Sequence, residues 1–196
     1  MTALKQTPSQ TVGPYFAYGL CPEQYRFDLK SLFTPAIADH DAAGKPITIV
    51  GQVFDGDGKP VGDAMLEMSQ VDSEGRYPAS AAQARASGFR GFARVGTGTD
   101  PHQRFVVDTV KPGRASPDDA PHLNVVVTMR GMLLHTFTRI YFEDEAAANE
   151  ADPVLAAVPA ERRHTLLARR VPGTNRLVYR FDIRMQGDDE TVFFDL

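Results

Sequence analysis

Apolar and polar residues alternate along much of the chain, and this pattern predicts short β-strands. Segment 46–54, PITIVGQVF, has β-branched residues at alternate positions and runs into the turn sequence DGDG. Segment 63–71 predicts a second strand that forms a hairpin with the first or lies close to it. Further strands are predicted at 89–95, 104–109, 123–129, 134–142, 177–185 and 191–194. We therefore expect a mainly-β fold, a β-sandwich of mixed or antiparallel strands joined by long loops.

Helix signals are concentrated late in the chain. Asp152 and Pro153 predict an N-cap and the first residue of a helix. Segment 159–169 predicts a second short helix. Segment 27–33 predicts no more than a helical turn, and 78–103 predicts a long loop that contains the strand at 89–95.

The N-terminal segment has a different character. Residues 7–16, TPSQTVGPYF, contain two prolines and a glycine, which predict an extended arm without helix or regular strand. The aromatic residues at its end favour an arm that packs on another surface over a free tail. We expect a single domain over 1–196, with the arm and an irregular segment at 1–45 and the core at 46–196.

Composition narrows the possible functions. The formal net charge of -4 over 196 residues gives no basic excess for binding nucleic acid. Cys21 is the only cysteine, so no internal disulfide is possible. The N-terminus has no apolar run typical of a signal peptide. We therefore expect a soluble cytoplasmic protein.

The segment 111–130 carries the most informative polar residues. His122 and Asn124 are two positions apart on a predicted strand, so their side chains share one face, and Arg130 ends the same strand. One element could therefore direct an imidazole, an amide and a guanidinium to a single cleft. The common phosphate-binding, zinc-protease and serine-hydrolase motifs are absent from the sequence. These residues alone leave open whether the cleft binds a metal, a ligand or neither.

A set of short motifs in a fixed order resembles the intradiol ring-cleavage dioxygenases over most of the chain, from about Thr7 onwards. The motifs are GQVFDGDG at 51–58, EMSQVD at 67–72, GRY at 75–77, KPG at 111–113, PH at 121–122, YFE at 141–143 and YRFDI at 179–183. The resemblance implies a β-sandwich and a non-haem ferric site formed by two tyrosinates and two histidines, hard donors that suit a hard ion.

Only half of that ligand set is present in the sequence. Tyr77 and His122 match one tyrosine and one histidine, whereas Asn124 replaces the second histidine. Arg114 and Ala115 stand where the second tyrosine is expected. The resemblance therefore implies a degenerate metal site, with no iron and no catalytic residue on this chain alone.

Some members of this family are built from two homologous chains, and the resemblance implies that this is the iron-free one. Its partner in a higher hetero-oligomer would be the homologous beta chain, which holds Fe³⁺, and the active site would lie at their interface. The substrate-binding residues implied on this chain are Thr11, Gly13, Pro14, Tyr15 and Arg130. The complex would cleave protocatechuate with O₂ to 3-carboxy-cis,cis-muconate. Two alternatives are a non-enzymatic β-sandwich scaffold or binding module, and a homo-oligomeric dioxygenase with altered iron ligands.

Overall fold

The computed structural model describes residue 13 and residues 15–195. Its strands are β1 (Pro46–Phe54), β2 (Met65–Ser69), β3 (Phe92–Gly96), β4 (Arg104–Val110), β5 (His122–Thr128), β6 (Thr136–Phe142), β7 (Leu167–Arg170), β8 (Leu177–Arg180) and β9 (Ile183–Arg184). Its α-helices are α1 (Tyr15–Leu20), α2 (Ala81–Ser87), α3 (Ala146–Ala151) and α4 (Pro153–Ala157), with 3₁₀ segments at Glu143–Glu145 and Ala160–Leu166.

The described strands form a nine-stranded mixed sheet that curls on itself. Their order is β3-β2-β5-β6-β7-β8-β1-β4, with β9 beside β1. The two end strands, β3 and β4, contact each other, so the sheet nearly closes. Most neighbours are antiparallel, but β1 runs parallel to β8 and β9, and β6 runs parallel to β7. The predicted mainly-β fold with mixed strands is confirmed.

The alternation seen in the sequence places the core on the inner face of this sheet. In β1, buried and partly exposed residues alternate, and Ile47, Ile49 and Val53 belong to the main core cluster. Leu66 of β2 and Leu123 of β5 are buried in the same cluster. Burial of a side chain of this size stabilises the fold by about 1.5–3 kcal/mol.

For the first two strands, the sequence predicted either a hairpin or close neighbours, and the hairpin is wrong. The two edges of β1 are occupied by β4 and β8, for example where Ile49 lies opposite Val107 on one side and Tyr179 on the other. β2 pairs instead with β3 and β5. A turn signal between two strands cannot reveal that partners from distant parts of the chain compete for the same edges.

The prediction that helix occurs only late is also wrong. Helix α2 lies inside the predicted loop 78–103, where the Ser80 side chain caps it by accepting a hydrogen bond from the Gln83 backbone at 3.2 Å. Helix α1 begins at Tyr15, within the segment predicted to have no helix. Segment 27–33 contains no helical turn. No helix in the described part of the chain is long and apolar enough to cross a membrane.

The C-terminal elements follow the predictions in part. Asp152 caps α4 as predicted, with Pro153 as its first residue. The predicted helix 159–169 is a 3₁₀ segment that ends in β7, and β7 pairs with β6 on one side and β8 on the other. The predicted strand 177–185 is divided into β8 and β9, and segment 191–194 contributes only one bridge, between Phe194 and Phe137.

Candidate functional site

A cleft of about 460 Å³ lies at the end of β5 and is called the Arg130 cleft here. Its lining residues are Asp55, Pro60, Val61, Gly62, Asp63, Gln103, Met129 and Arg130. The predicted turn after β1 forms one wall. That turn is held by the Asp55 carboxylate, whose Oδ1 accepts hydrogen bonds from the backbone N–H groups of Asp57 and Lys59.

Arg130 forms an ion pair with Asp63 in this cleft. The guanidinium Nε lies 3.2 Å from Asp63 Oδ2, and the Arg130 side chain is 70% exposed while that of Asp63 is 18% exposed. Asp63 Oδ2 is buried, yet it accepts no well-aligned hydrogen bond from the described residues. The pair is therefore electrostatic, and most of the Arg130 side chain remains accessible to an anion from solvent or from another chain.

The sheet register explains why these two residues meet. β2 and β5 are antiparallel, with Met65 opposite Thr128, and the Thr128 hydroxyl donates a hydrogen bond to the Met65 carbonyl at 3.1 Å. Asp63 precedes Met65 by two residues and Arg130 follows Thr128 by two, so the antiparallel register brings Asp63 opposite Arg130. Sequence reasoning selected Arg130 but missed Asp63, because its role depends on a strand pairing that the sequence did not reveal.

The predicted residues of the N-terminal arm are covered only in part. Thr11 and Pro14 lie outside the described residues, and Tyr15 contributes only its backbone, as the first residue of α1. The Gly13 carbonyl accepts a hydrogen bond from the Phe16 backbone at 3.0 Å. No described atom lies within 4 Å of the position that a Gly13 Cβ would occupy.

The motif loops that carry the implied iron ligands do meet in space. The Gly113 N–H donates a hydrogen bond to the Asp72 carbonyl at 2.8 Å. A Cβ on Gly113 would lie 2.6 Å from the Ser73 carbonyl oxygen, so only glycine permits this approach of the two backbones. Tyr77, which follows Ser73 in the first of these two loops, is 52% exposed.

The His122 ring is positioned by contacts with Ala120 and Tyr141. Its Nδ1 lies 2.8 Å from the Ala120 carbonyl oxygen, so the proton is assigned to Nδ1 and only Nε2 retains a lone pair. Burial is the largest influence on the His122 pKa and lowers it, which keeps the ring neutral. The ring also packs at 5.5 Å from that of Tyr141.

The surroundings of Asn124 are unsuited to a ferric ion. Asn124 lies opposite Arg139 on β6 and Ser69 on β2, and cross-strand partners share a face of the sheet. Arg139 also lowers the pKa of His122 electrostatically, although less than burial does. A guanidinium and a neutral amide thus stand beside the one remaining imidazole, and Arg114 and Ala115 supply no phenolate.

The described residues offer no other cluster of metal ligands. They contain no group of three or more histidine, cysteine, aspartate or glutamate side chains that could hold a metal ion. With an amide in place of one imidazole and no second phenolate, the residues at the family ligand positions do not fit ferric iron. Sequence reasoning missed Arg139, which only the pairing of β5 with β6 places beside Asn124.

Arg130 does not share a cleft with His122 and Asn124, so the expectation of one common cleft is wrong. Eight residues of extended chain separate His122 from Arg130, which corresponds to about 26 Å. His122 faces the Tyr141 end of the sheet, whereas Arg130 lies at the opposite end with Asp63.

Comparison with known proteins agrees with these features. A family model described as Dioxygenase matches residues 29–187. The protocatechuate 3,4-dioxygenase alpha chain of Burkholderia cepacia is 69% identical over 197 residues, covering 100% of both chains. The protocatechuate 3,4-dioxygenase beta chain of Burkholderia cepacia is 29% identical over 171 residues, covering 80% of this chain and 71% of its own length.

Solved structures share the fold. An intradiol ring-cleavage dioxygenase from Tetranychus urticae superposes with a TM-score of 0.62 at 16% sequence identity, covering 81% of this chain and 88% of that one. The family model spans well over half of the chain, and the alpha-chain similarity extends along all of it. This chain therefore belongs to the dioxygenase family, with the intradiol enzymes as its structural relatives.

Proposed function

We propose that this chain is the subunit without iron in a protocatechuate 3,4-dioxygenase, assembled with an iron-bearing beta chain. The similarity to an alpha chain over the full length carries this proposal. The chemistry of the family ligand positions supports it, because two of the four ligands are missing: Asn124 replaces a histidine, and Arg114 and Ala115 stand where a tyrosine is expected. The similarity to a beta chain supports a homologous partner.

In this proposal Arg130 binds the carboxylate of protocatechuate. Asp63 lies on the Nε side of the guanidinium, which leaves the Nη groups for a ligand. The Asp63 contact also limits the rotamers of Arg130, so less conformational entropy is lost when the ligand binds. The ferric ion of the partner would supply the activation of the catechol ring toward O₂.

The N-terminal arm would contribute the mouth of the same pocket through Thr11, Gly13, Pro14 and Tyr15. The open space around Gly13 supports this role, because the described part of this chain does not fill it. A glycine there lets another chain or a ligand approach the backbone closely.

Production of the chain alone and together with the beta chain tests the proposed function. We expect bound iron, visible tyrosinate-to-iron absorption and protocatechuate cleavage only when both chains are present. Iron and colour in the chain alone would identify a homo-oligomeric dioxygenase with altered ligands. If an active beta chain neither binds this chain nor gains activity from it, the scaffold or binding module is the better description.

A further inference from the structure

The largest of the cavities described lies at the opposite end of β1 from the Arg130 cleft. It encloses about 750 Å³ and is called the basic cavity here. The start of β1, the end of β4, the segment 36–40 and the turn before β8 form its walls. β1 is nine residues long, so about 26 Å separates its two ends. The basic cavity and the Arg130 cleft share no lining residue.

Cationic side chains surround the basic cavity. Lys45, Arg170 and Arg176 line it, together with His40. Across the described residues, no carboxylate forms an ion pair with any of these side chains. Like charges around one concave surface repel each other, so this arrangement favours a bound anion.

The two carboxylates of the wall offset only part of this positive charge, since three lining cations face them. Asp39 Oδ1 accepts a hydrogen bond from Arg90 Nη2 at 2.8 Å. Asp108 Oδ1 accepts one from the Thr48 hydroxyl at 2.6 Å. The whole chain carries a net charge of -4, so the local cationic excess opposes the overall balance.

The base of the basic cavity is apolar. Ala36 and Leu177 are partly exposed apolar residues of its lining, and the buried Ile47 lies beside Leu177 in the pairing of β1 with β8. A site with an apolar base and a cationic rim suits a molecule with a carbon frame and more than one carboxylate. Its volume lies within the range of about 300–1,000 Å³ that is typical of small-molecule sites.

We propose that the basic cavity binds a small organic polycarboxylate with an apolar carbon frame. The guanidinium groups of Arg170 and Arg176 receive the carboxylates, since their planar fork matches carboxylate geometry, and Lys45 contributes a further charge. The carbon frame lies over Ile47 and Leu177. The tricarboxylate product of the proposed reaction is one member of this ligand class, but the site does not depend on that reaction.

Titration calorimetry of the full chain with cis,cis-muconate, a six-carbon dicarboxylate, tests the proposal. We expect saturable binding, and about tenfold weaker affinity in Arg170→Ala and in Arg176→Ala, because each substitution removes a charge-assisted hydrogen bond to a carboxylate. Both substitutions keep the backbone bonds of these residues, including the bond from the Thr174 hydroxyl to the Arg176 carbonyl. Arg85→Ala removes the same charge from the exposed surface of α2 and should leave the affinity unchanged.

Binding of sulfate, measured in the same way, tests whether the apolar base of the cavity contributes to affinity. It carries two negative charges but no carbon frame, so we expect it to bind at least tenfold more weakly than cis,cis-muconate. Absence of saturable muconate binding to the wild-type chain would overturn the proposal. Equal losses in Arg85→Ala and Arg176→Ala would do the same, and equal affinities for sulfate and muconate would refute the ligand class.

Discussion

At the residue scale, Arg130 combines an ion pair on one side of its guanidinium with a largely exposed side chain. Asp63 lies 3.2 Å from Nε, and 70% of the arginine side chain is exposed. A salt bridge this exposed contributes little to stability, typically below about 1 kcal/mol. The ion pair with Asp63 therefore serves mainly to orient the Arg130 guanidinium toward a ligand, and loss of Arg130 should affect ligand binding more than folding.

Replacement of Arg130 by alanine in the complete two-chain enzyme should raise the KM for protocatechuate by about tenfold or more. The physical reason is the loss of a charge-assisted contact with the substrate carboxylate, which contributes about 1.5–3 kcal/mol. Steady-state kinetics with protocatechuate and with unsubstituted catechol provide the measurement, because catechol lacks the carboxylate and should show little change.

Iron content and the visible absorption should remain those of the unmodified complex, and Arg85→Ala on α2 should behave as the unmodified complex does. A loss of the same factor for both substrates would show that Arg130 supports the assembly and not the carboxylate.

The sequence revealed the types of site residue but not their neighbours. His122 and Asn124 share a face as predicted, because strand geometry alone dictates it. Asp63 and Arg139 could not be assigned, since each depends on which strand lies beside β5. Pairings between distant segments are set by competition for sheet edges, and a single sequence contains little information about them.

At the scale of elements, the KPG motif joins the end of β4 to the elements that follow β6. Lys111 Nζ lies 2.8 Å from Asp144 and 2.9 Å from Glu145, and it donates a hydrogen bond to the Tyr179 hydroxyl at 3.1 Å. The lysine side chain is only 12% exposed. Lys111, the first residue of the KPG motif, therefore links its own loop to the 3₁₀ segment at Glu143–Glu145 and to β8.

Replacement of Lys111 by methionine should lower the free energy of unfolding by about 2 kcal/mol at neutral pH. Breaking a buried ion pair costs about 3–5 kcal/mol, and the partial exposure of Asp144 and Glu145 reduces that value here. Urea denaturation monitored by circular dichroism measures the difference. Lys59→Met, which removes an exposed pair with Asp57, should change stability by less than about 0.5 kcal/mol.

The effect of Lys111→Met should also depend on pH. Burial acts to raise the pKa of Asp144, but hydrogen bonds from Lys111 and Tyr179 outweigh it and hold the pKa below its ordinary value of 3.8. A carboxylate with a lowered folded-state pKa stabilises the fold above its ordinary pKa, and this contribution disappears as the pH falls through the lowered value. The two proteins should therefore converge in stability as the pH falls below about 4; a constant difference would exclude this ion pair as the cause.

Most of the strands were predictable because alternation is a local property, whereas helix α2 and strand β7 were missed for different reasons. Helix α2 lies in an alanine-rich stretch, and because none of its seven residues is buried, it has no apolar stripe that would indicate a helix. β7 follows a 3₁₀ segment without a break, and its strand character comes from its position between β6 and β8. Its four residues have too little pattern of their own to indicate a strand.

For the whole molecule, the described surface includes two loops with unusually exposed leucines. Leu29 and Leu32 are 68% and 87% exposed, and Leu133 and Leu134 are 67% and 77% exposed. The first loop is fixed, because the Ser31 N–H donates a hydrogen bond to the Glu23 carboxylate at 2.9 Å. Clustered apolar side chains on a fixed surface are typical of protein contact sites.

Single substitutions Leu32→Ser and Leu134→Ser should weaken assembly with the beta chain while the isolated chain keeps its stability. Exposed side chains contribute little to folding, so the free energy of unfolding should change by less than about 0.5 kcal/mol. Sedimentation of the two-chain complex over a range of concentrations measures assembly. Val106→Thr, at an exposed position on β4 outside both loops, serves as the control, and unchanged assembly in both leucine variants would exclude these loops from the interface.

The parallel pairing of β1 with β8 has a consequence for synthesis on the ribosome. The pairing joins Ile47 to Leu177, so one edge of β1 has no partner until nearly the whole chain has been translated. Contacts between such distant segments form slowly, because a long loop must be closed first. A nascent chain that ends before Leu177 would expose this edge and leave the sheet open. Subunit assembly should therefore follow, and not accompany, the synthesis of this chain.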